Sequence, residues 1–131
     1  MARVLFFEDD LTLQVVLFDL FDYAGITPIV GALDSRTATK QIRLADYDLV
    51  LTDMQMPNYS GVDVLEWVQR CCPGIPVVAL TGAPPDQLKR LGCDPTQYDA
   101  FLFKPAKLED LLNVVDRLIS DREASRPPTL H

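Results

Sequence analysis

Four short, unbroken apolar runs constrain this chain more than anything else in it: Val4-Leu5-Phe6-Phe7, Leu49-Val50-Leu51, Val77-Val78-Ala79-Leu80 and Phe101-Leu102-Phe103. A strand with one wet face alternates apolar and polar residues. A run without alternation is apolar on both faces and belongs in a parallel sheet covered by helices. A weaker fifth run, Ile26 to Val30, is interrupted by Pro28, whose missing N–H suits an edge strand.

Helical spacing fills the segments between these runs. Leu13, Leu17, Leu20 and Ala24 line one stripe, with Gly25 as a C-terminal stop. Asp34 or Ser35 opens a second helix, and Ser60 caps a third that contains Leu65, Val68 and Cys72. In the last, Leu108, Leu111, Leu112, Val115 and Ile119 recur at three- and four-residue intervals. The order is β-α repeated five times, with right-handed crossovers expected. In the fourth unit, Pro84-Pro85 delays the helix start and leaves little more than Asp86 to Leu91, before a polar stretch from Gly92 to Asp99. The expected fold is a doubly wound α/β (βα)5 three-layer sandwich on a five-stranded parallel sheet, with a shortened fourth helix. Residues 1–120 form the expected domain, and 121–131, with Arg126-Pro127-Pro128, read as a tail or linker stub.

A length of 131 residues suits one such domain. Twelve Lys and Arg against nineteen Asp and Glu give a formal charge of −7. That balance argues against binding nucleic acid or an anionic membrane, which are held by phosphate neutralisation. The single His is His131, which excludes a His-based triad, a His-ligated zinc and a phosphohistidine carrier. Cys71, Cys72 and Cys93 have no metal-ligand spacing and read as reduced thiols. Val4 to Phe7 is too short for a signal core or a membrane span, so a cytoplasmic location is expected.

Polar residues fall at the strand ends. The first run leads into Glu8-Asp9-Asp10, the third strand into Asp53, the fourth into Thr81 and the fifth into Lys104. The carboxyl edge of an open parallel sheet is its ligand crevice. Each residue alone has a plain explanation as a cap or a strand end. Together they imply three carboxylates, a hydroxyl and an ammonium at one edge. Crowded carboxylates raise a pKa or recruit a cation. Oxygen-only ligands select Mg²⁺ or Mn²⁺ over zinc. Such a carboxylate can accept a phosphoryl group. No Gly-rich phosphate loop is present, which argues against a nucleotide-cradling NTPase.

These residues resemble the receiver domain of two-component response regulators, from Arg3 to about Ile119. The resemblance rests on Val4-Leu5-Phe6-Phe7-Glu8-Asp9-Asp10, on Asp48-Leu49-Val50-Leu51-Thr52-Asp53-Met54-Gln55-Met56-Pro57 with Gly61, on Val78-Ala79-Leu80-Thr81-Gly82, and on Phe101-Leu102-Phe103-Lys104-Pro105. It implies a flavodoxin-like strand order of 2-1-3-4-5 and these roles. Asp53 is the phosphoacceptor. Glu8, Asp9 and Asp53 hold Mg²⁺, helped by the backbone carbonyl of Gln55. Thr81 and Lys104 each take a phosphoryl oxygen, and Pro105 follows a cis peptide bond. Phe101 occupies the aromatic switch position, with an ordinary strand aromatic as the alternative. The phosphoryl group comes from a phosphohistidine on another molecule, a sensor histidine kinase or a histidine phosphotransfer protein.

The resemblance also marks departures. Gln55 and Ala83 occupy the positions that tune aspartyl-phosphate hydrolysis and imply an intermediate rate. The Pro84-Pro85 loop remodels the usual output or dimer surface, so a nonstandard output is expected and homodimerisation stays open. On the first helix, Leu11, Val15 and Phe18 lie opposite the core stripe beside Asp22, which fits the face that meets a kinase's helical bundle. Trp67 falls on the polar side of the third helix, either as a surface contact or as amphipathic packing. Two other functions stand beside the receiver: a Mg²⁺-dependent phosphohydrolase with Asp53 as nucleophile, and a fold-only interaction module. A hydrolase of that kind usually carries a second carboxylate two residues on, where this chain has Gln55.

Overall fold

The computed structural model describes residues 2–31 and 43–125. The second helix expected from Asp34 or Ser35 lies outside the described residues, as do residues 126–131 of the expected tail. Five strands, β1 (Arg3–Phe7), β2 (Thr27–Val30), β3 (Leu49–Thr52), β4 (Val77–Thr81) and β5 (Ala100–Phe103), form one sheet. Its order is β2-β1-β3-β4-β5, and every neighbouring pair is parallel. Among the described residues four α-helices surround it: α1 (Leu11–Tyr23), α2 (Gly61–Cys71), α3 (Pro85–Arg90) and α4 (Leu108–Ser125). This is the parallel sandwich expected from the apolar runs, with β2 at an edge, in the flavodoxin-like order that the resemblance implies.

The unbroken runs have a direct physical cause. Alternate residues of one strand point to opposite faces. Leu5 and Phe7, Val50, Val77 and Ala79 pack with Val64, Leu65, Trp67 and Val68 of α2 and Leu88 of α3. Val4 and Phe6, Leu49 and Leu51, Val78 and Leu80 pack instead with Leu17 and Phe21 of α1 and with Leu111, Val115 and Ile119 of α4. Both faces are dry, so both sets must be apolar.

The ends of the helices follow local chemistry. Asp10 caps α1 by accepting from the N–H groups of Thr12 and Leu13. At the other end Gly25 takes φ +77°, a left-handed conformation that costs a Cβ-bearing residue about 1 kcal/mol. Its N–H donates to Asp22 O and that of Ile26 to Phe21 O, closing the helix with Ile26 and Phe21 both in the core. Phe21 thus takes the buried place that the spacing assigned to Ala24, which lies beyond the last turn and is exposed. Ser60 caps α2 in a reciprocal pair with Asp63.

Three further expectations need correction. Trp67 is not on a polar side: it is 3% exposed and meets the Phe7 ring edge-on at 6.0 Å. The indole is wide enough to reach the sheet from the margin of the helix's apolar stripe. Helix α3 starts at Pro85 and ends at Arg90, one residue earlier at each end than expected, and is six residues long. Helix α4 continues to Ser125, past the boundary at residue 120. Its last turns are tied down where Arg122 donates to Tyr47 O at 2.9 Å and pairs with Asp48 at 3.6 Å.

Candidate functional site

Parallel pairing brings the strand ends together. The β1–β3 ladder sets Phe7 against Thr52, and one step on the Asp53 N–H donates to Phe7 O at 2.9 Å. The β4–β5 ladder sets Thr81 against Phe103, and the Lys104 N–H donates to Thr81 O at 2.7 Å. Strands lie about 4.8 Å apart, so the residues just past β1 and β3 become neighbours, and the long Lys104 side chain reaches them across β4. Three segments far apart in sequence therefore meet at one edge.

At that edge Lys104 Nζ lies 3.0 Å from Glu8 Oε2 and 3.0 Å from Asp53 Oδ2. Oxygen atoms of Glu8, Asp9 and Asp53 all fall within 4.8 Å of one another. Glu8 and Asp53 are buried, and Asp9 is exposed. Asp53 is further fixed by its own loop, with Oδ1 accepting from Met54 N–H at 2.6 Å. Burial pushes the Glu8 carboxyl above the ordinary carboxylate range, against hydrogen bonds from Lys104 and the Asp10 N–H. For Lys104, burial alone disfavours the ammonium, but its hydrogen bonds to Glu8 and Asp53 outweigh that and raise its pKa.

Three carboxylates facing one ammonium leave negative charge uncompensated. The donor set is all oxygen, which suits a hard divalent cation such as Mg²⁺ or Mn²⁺. Glu8, Asp9 and Asp53 are the residues that fit it. Asp10 does not join them, because its carboxylate is committed to the N-terminus of α1. An Asp just before the first periodic apolar residue is itself a capping signal.

The other expected residues fall as follows. Thr81 is fully buried, and its hydroxyl oxygen accepts from Ala83 N–H at 3.1 Å. Gln55 is exposed and pairs with Ser60 across the loop after β3, and its N–H lies 3.4 Å from Asp53 Oδ1. Phe101 is half-buried and stacks edge-on against Tyr98 at 5.4 Å. The Lys104–Pro105 peptide bond is cis. Leu11, Val15 and Phe18 are 75%, 61% and 45% exposed on α1. On the other face of α1, a cavity of about 320 Å³ opens between it and the start of α4, lined by Leu13, Leu17, Lys104, Pro105 and Leu111 among others.

Spacing gave no sign of two further residues. The Tyr98 hydroxyl, itself buried, donates to Gly61 O at 2.9 Å and ties the segment before β5 to the start of α2. Gly61 is packed so closely that a Cβ there would come within 2.5 Å of Met54 Sδ and 2.7 Å of Asp53 O. The second is Gln14, whose side-chain amide donates to the backbone carbonyl of Glu8. Neither has a motif to betray it, since each acts through one long-range contact.

A parallel five-stranded sheet in this order, with acids and a lysine at its carboxyl edge, defines a flavodoxin-like class of α/β domain. Within that class the family model of the response regulator receiver domain matches residues 4–116, and the chain belongs to this family. The DNA-binding response regulator MtrA of Mycobacterium tuberculosis is 32% identical over 111 residues, covering 84% of this chain and 47% of that protein. The DNA-binding transcriptional regulator NtrC of Rhizobium meliloti is 26% identical over 120 residues, covering 92% of this chain and 24% of that protein. The chain therefore spans half or less of the length of these curated relatives. Among solved structures, a response regulator receiver domain protein from Clostridium thermocellum shares the fold at TM-score 0.80 and 24% identity, covering 96% of this chain and 100% of that one. The non-phosphorylated HemR receiver domain from Leptospira biflexa matches at TM-score 0.74 and 26% identity, covering 98% and 100%. Among the described residues no helix is long and apolar enough to cross a membrane.

Proposed function

We propose that this receiver accepts a phosphoryl group on Asp53 from a phosphohistidine of a sensor kinase or phosphotransfer protein, in a cation-dependent reaction in the cytoplasm. The observation that carries this reading is the convergence of Glu8, Asp9 and Asp53 around Lys104 at the carboxyl edge of the sheet. An Asp53 carboxylate oxygen attacks phosphorus, the P–N bond to the donor imidazole breaks, and the imidazole nitrogen leaves with the bond's electron pair. The developing charge on the equatorial oxygens is the problem to be solved. Bound Mg²⁺ would supply charge neutralisation there, with Glu8, Asp9 and Asp53 as its protein ligands and the Gln55 carbonyl as a further one. Lys104 already lies in contact with Asp53 and would turn to an incoming oxygen. Thr81 would donate its hydroxyl to another, and Phe101 would respond to that movement behind it. The exposed Leu11, Val15 and Phe18 would receive the donor protein.

Incubation with Mg²⁺ and a small phosphodonor tests the reading by intact-protein mass. One adduct of about 80 Da (a single phosphoryl group) is expected, and it should vanish in Asp53→Asn. Multiple turnovers of an unrelated phosphoester would favour a hydrolase, although Gln55 offers no acid where one is needed. Absence of any adduct would leave a fold-only module.

A further inference from the structure

We infer that Gln14 is a positioning residue for the acid site, because its amide holds the peptide that joins the two cation-binding acids Glu8 and Asp9. The inference deepens the receiver reading and rests on it. Beyond Phe7 the chain leaves the β1 ladder, and the Phe7 carbonyl is the last there to be taken by a neighbouring strand segment, through Asp53 N–H. The Glu8 side chain is anchored by Lys104 and by the Asp10 N–H. Asp9 is different: its exposed carboxylate accepts no hydrogen bond among the described residues. The backbone therefore sets where its Cβ stands, and with it which positions the carboxylate can reach.

On the C-terminal side, the backbone of Asp9 is held by Asp10, whose N–H bonds Glu8 Oε1 and whose side chain caps α1. On the N-terminal side, it is held by Gln14, which donates to the Glu8 carbonyl. Gln14 is well placed for this. Its own N–H bonds Asp10 O at 2.9 Å, so the helix is already formed there. Helical side chains lean toward the N-terminus, and a four-atom amide arm reaches back to the Glu8 carbonyl just past β1. With that bond the Glu8–Asp9 peptide is pre-oriented, and less conformational freedom remains to be lost when a cation is gripped. Without it, Asp9 swings on an unanchored peptide.

The test is Mg²⁺ binding to the purified chain by calorimetry, with Gln14→Met and Gly25→Ala. Methionine keeps the length of the arm and removes its donor, whereas Gly25→Ala loosens the far end of α1 without touching the loop. The dissociation constant should rise about tenfold in Gln14→Met and stay at the wild-type value in Gly25→Ala. Phosphodonor labelling of Gln14→Met should be slow at low Mg²⁺ and return to the wild-type rate at saturation. Affinity in Gln14→Met within about twofold of wild type, equal weakening in Gly25→Ala, or slow labelling at saturating Mg²⁺ would each overturn the inference. A wild-type chain that neither binds Mg²⁺ nor forms an Asp53 adduct would refute the receiver reading and this inference together. Wild-type binding with an insensitive Gln14→Met would refute the inference alone.

Discussion

Lys104 sits 3.0 Å from both Glu8 and Asp53, so it competes with any cation for the same oxygens. Removing it has opposite effects on binding and chemistry. In Lys104→Ala the acids lose their ammonium, and Mg²⁺ should bind about fivefold more tightly, equivalent to roughly 1 kcal/mol of lost competition. Phosphodonor labelling should nonetheless fall about a hundredfold, because one preorganised positive charge is missing from the transition state. Calorimetry and intact mass on one sample check both halves. Tyr98 supports a pH prediction. Burial raises its phenol above the ordinary value of about 10. The folded state then holds its proton more tightly than the unfolded chain. Stability from this group is full below pH 10 or so, and is lost as the pH climbs through the raised value. Tyr98→Phe should cost about 1 kcal/mol near neutrality, from the lost bond to Gly61 O, and should shrink the drop in stability between neutral and strongly alkaline pH. Urea midpoints at the two pH values would show it.

At the level of elements, the strands were legible because burial on both faces leaves no alternation to misread. The site acids and Lys104 were legible for a related reason. They interrupt apolar runs at their ends, and parallel pairing turns those ends into neighbours. What escaped depends on tertiary reach. Trp67 looked polar-facing by angle, yet its ring extends to Phe7. Ser120 looked like an end, but Arg122 finds Tyr47 and Asp48 and carries α4 to Ser125. Gln14 and Tyr98 bond single carbonyls distant in the fold, and no spacing encodes that. Cap chemistry makes its own prediction. Ser60→Ala removes the acceptor for Val62 and Asp63 N–H and should cost about 1 kcal/mol in a urea titration.

For the molecule as a whole, the formal charge of −7 is unevenly spent. Glu8, Asp9 and Asp53 concentrate it at one edge, and α1, which starts just after them at Leu11, carries exposed Leu11, Val15 and Phe18. On the proposed reading, a donor protein that covered this apolar face would bring its phosphohistidine to the acid pocket. Phe18→Asp should slow transfer from such a donor about tenfold, the loss of one good interface contact, and leave labelling by a small phosphodonor unchanged. Equal slowing with both donors would remove α1 from the docking surface.

Lys104 follows Asp53 by 51 residues and Glu8 by 96. On the ribosome, the acids are all made before their counter-ion exists. Until β5 docks, the acids at the sheet edge repel one another with no ammonium beside them, so that edge of the β1–β3 pair is held less firmly than its buried ladder. The arrival of Lys104 completes the sheet and relieves that repulsion in one step. The acid edge of a newly made chain thus gains its counter-ion only once its last strand is home.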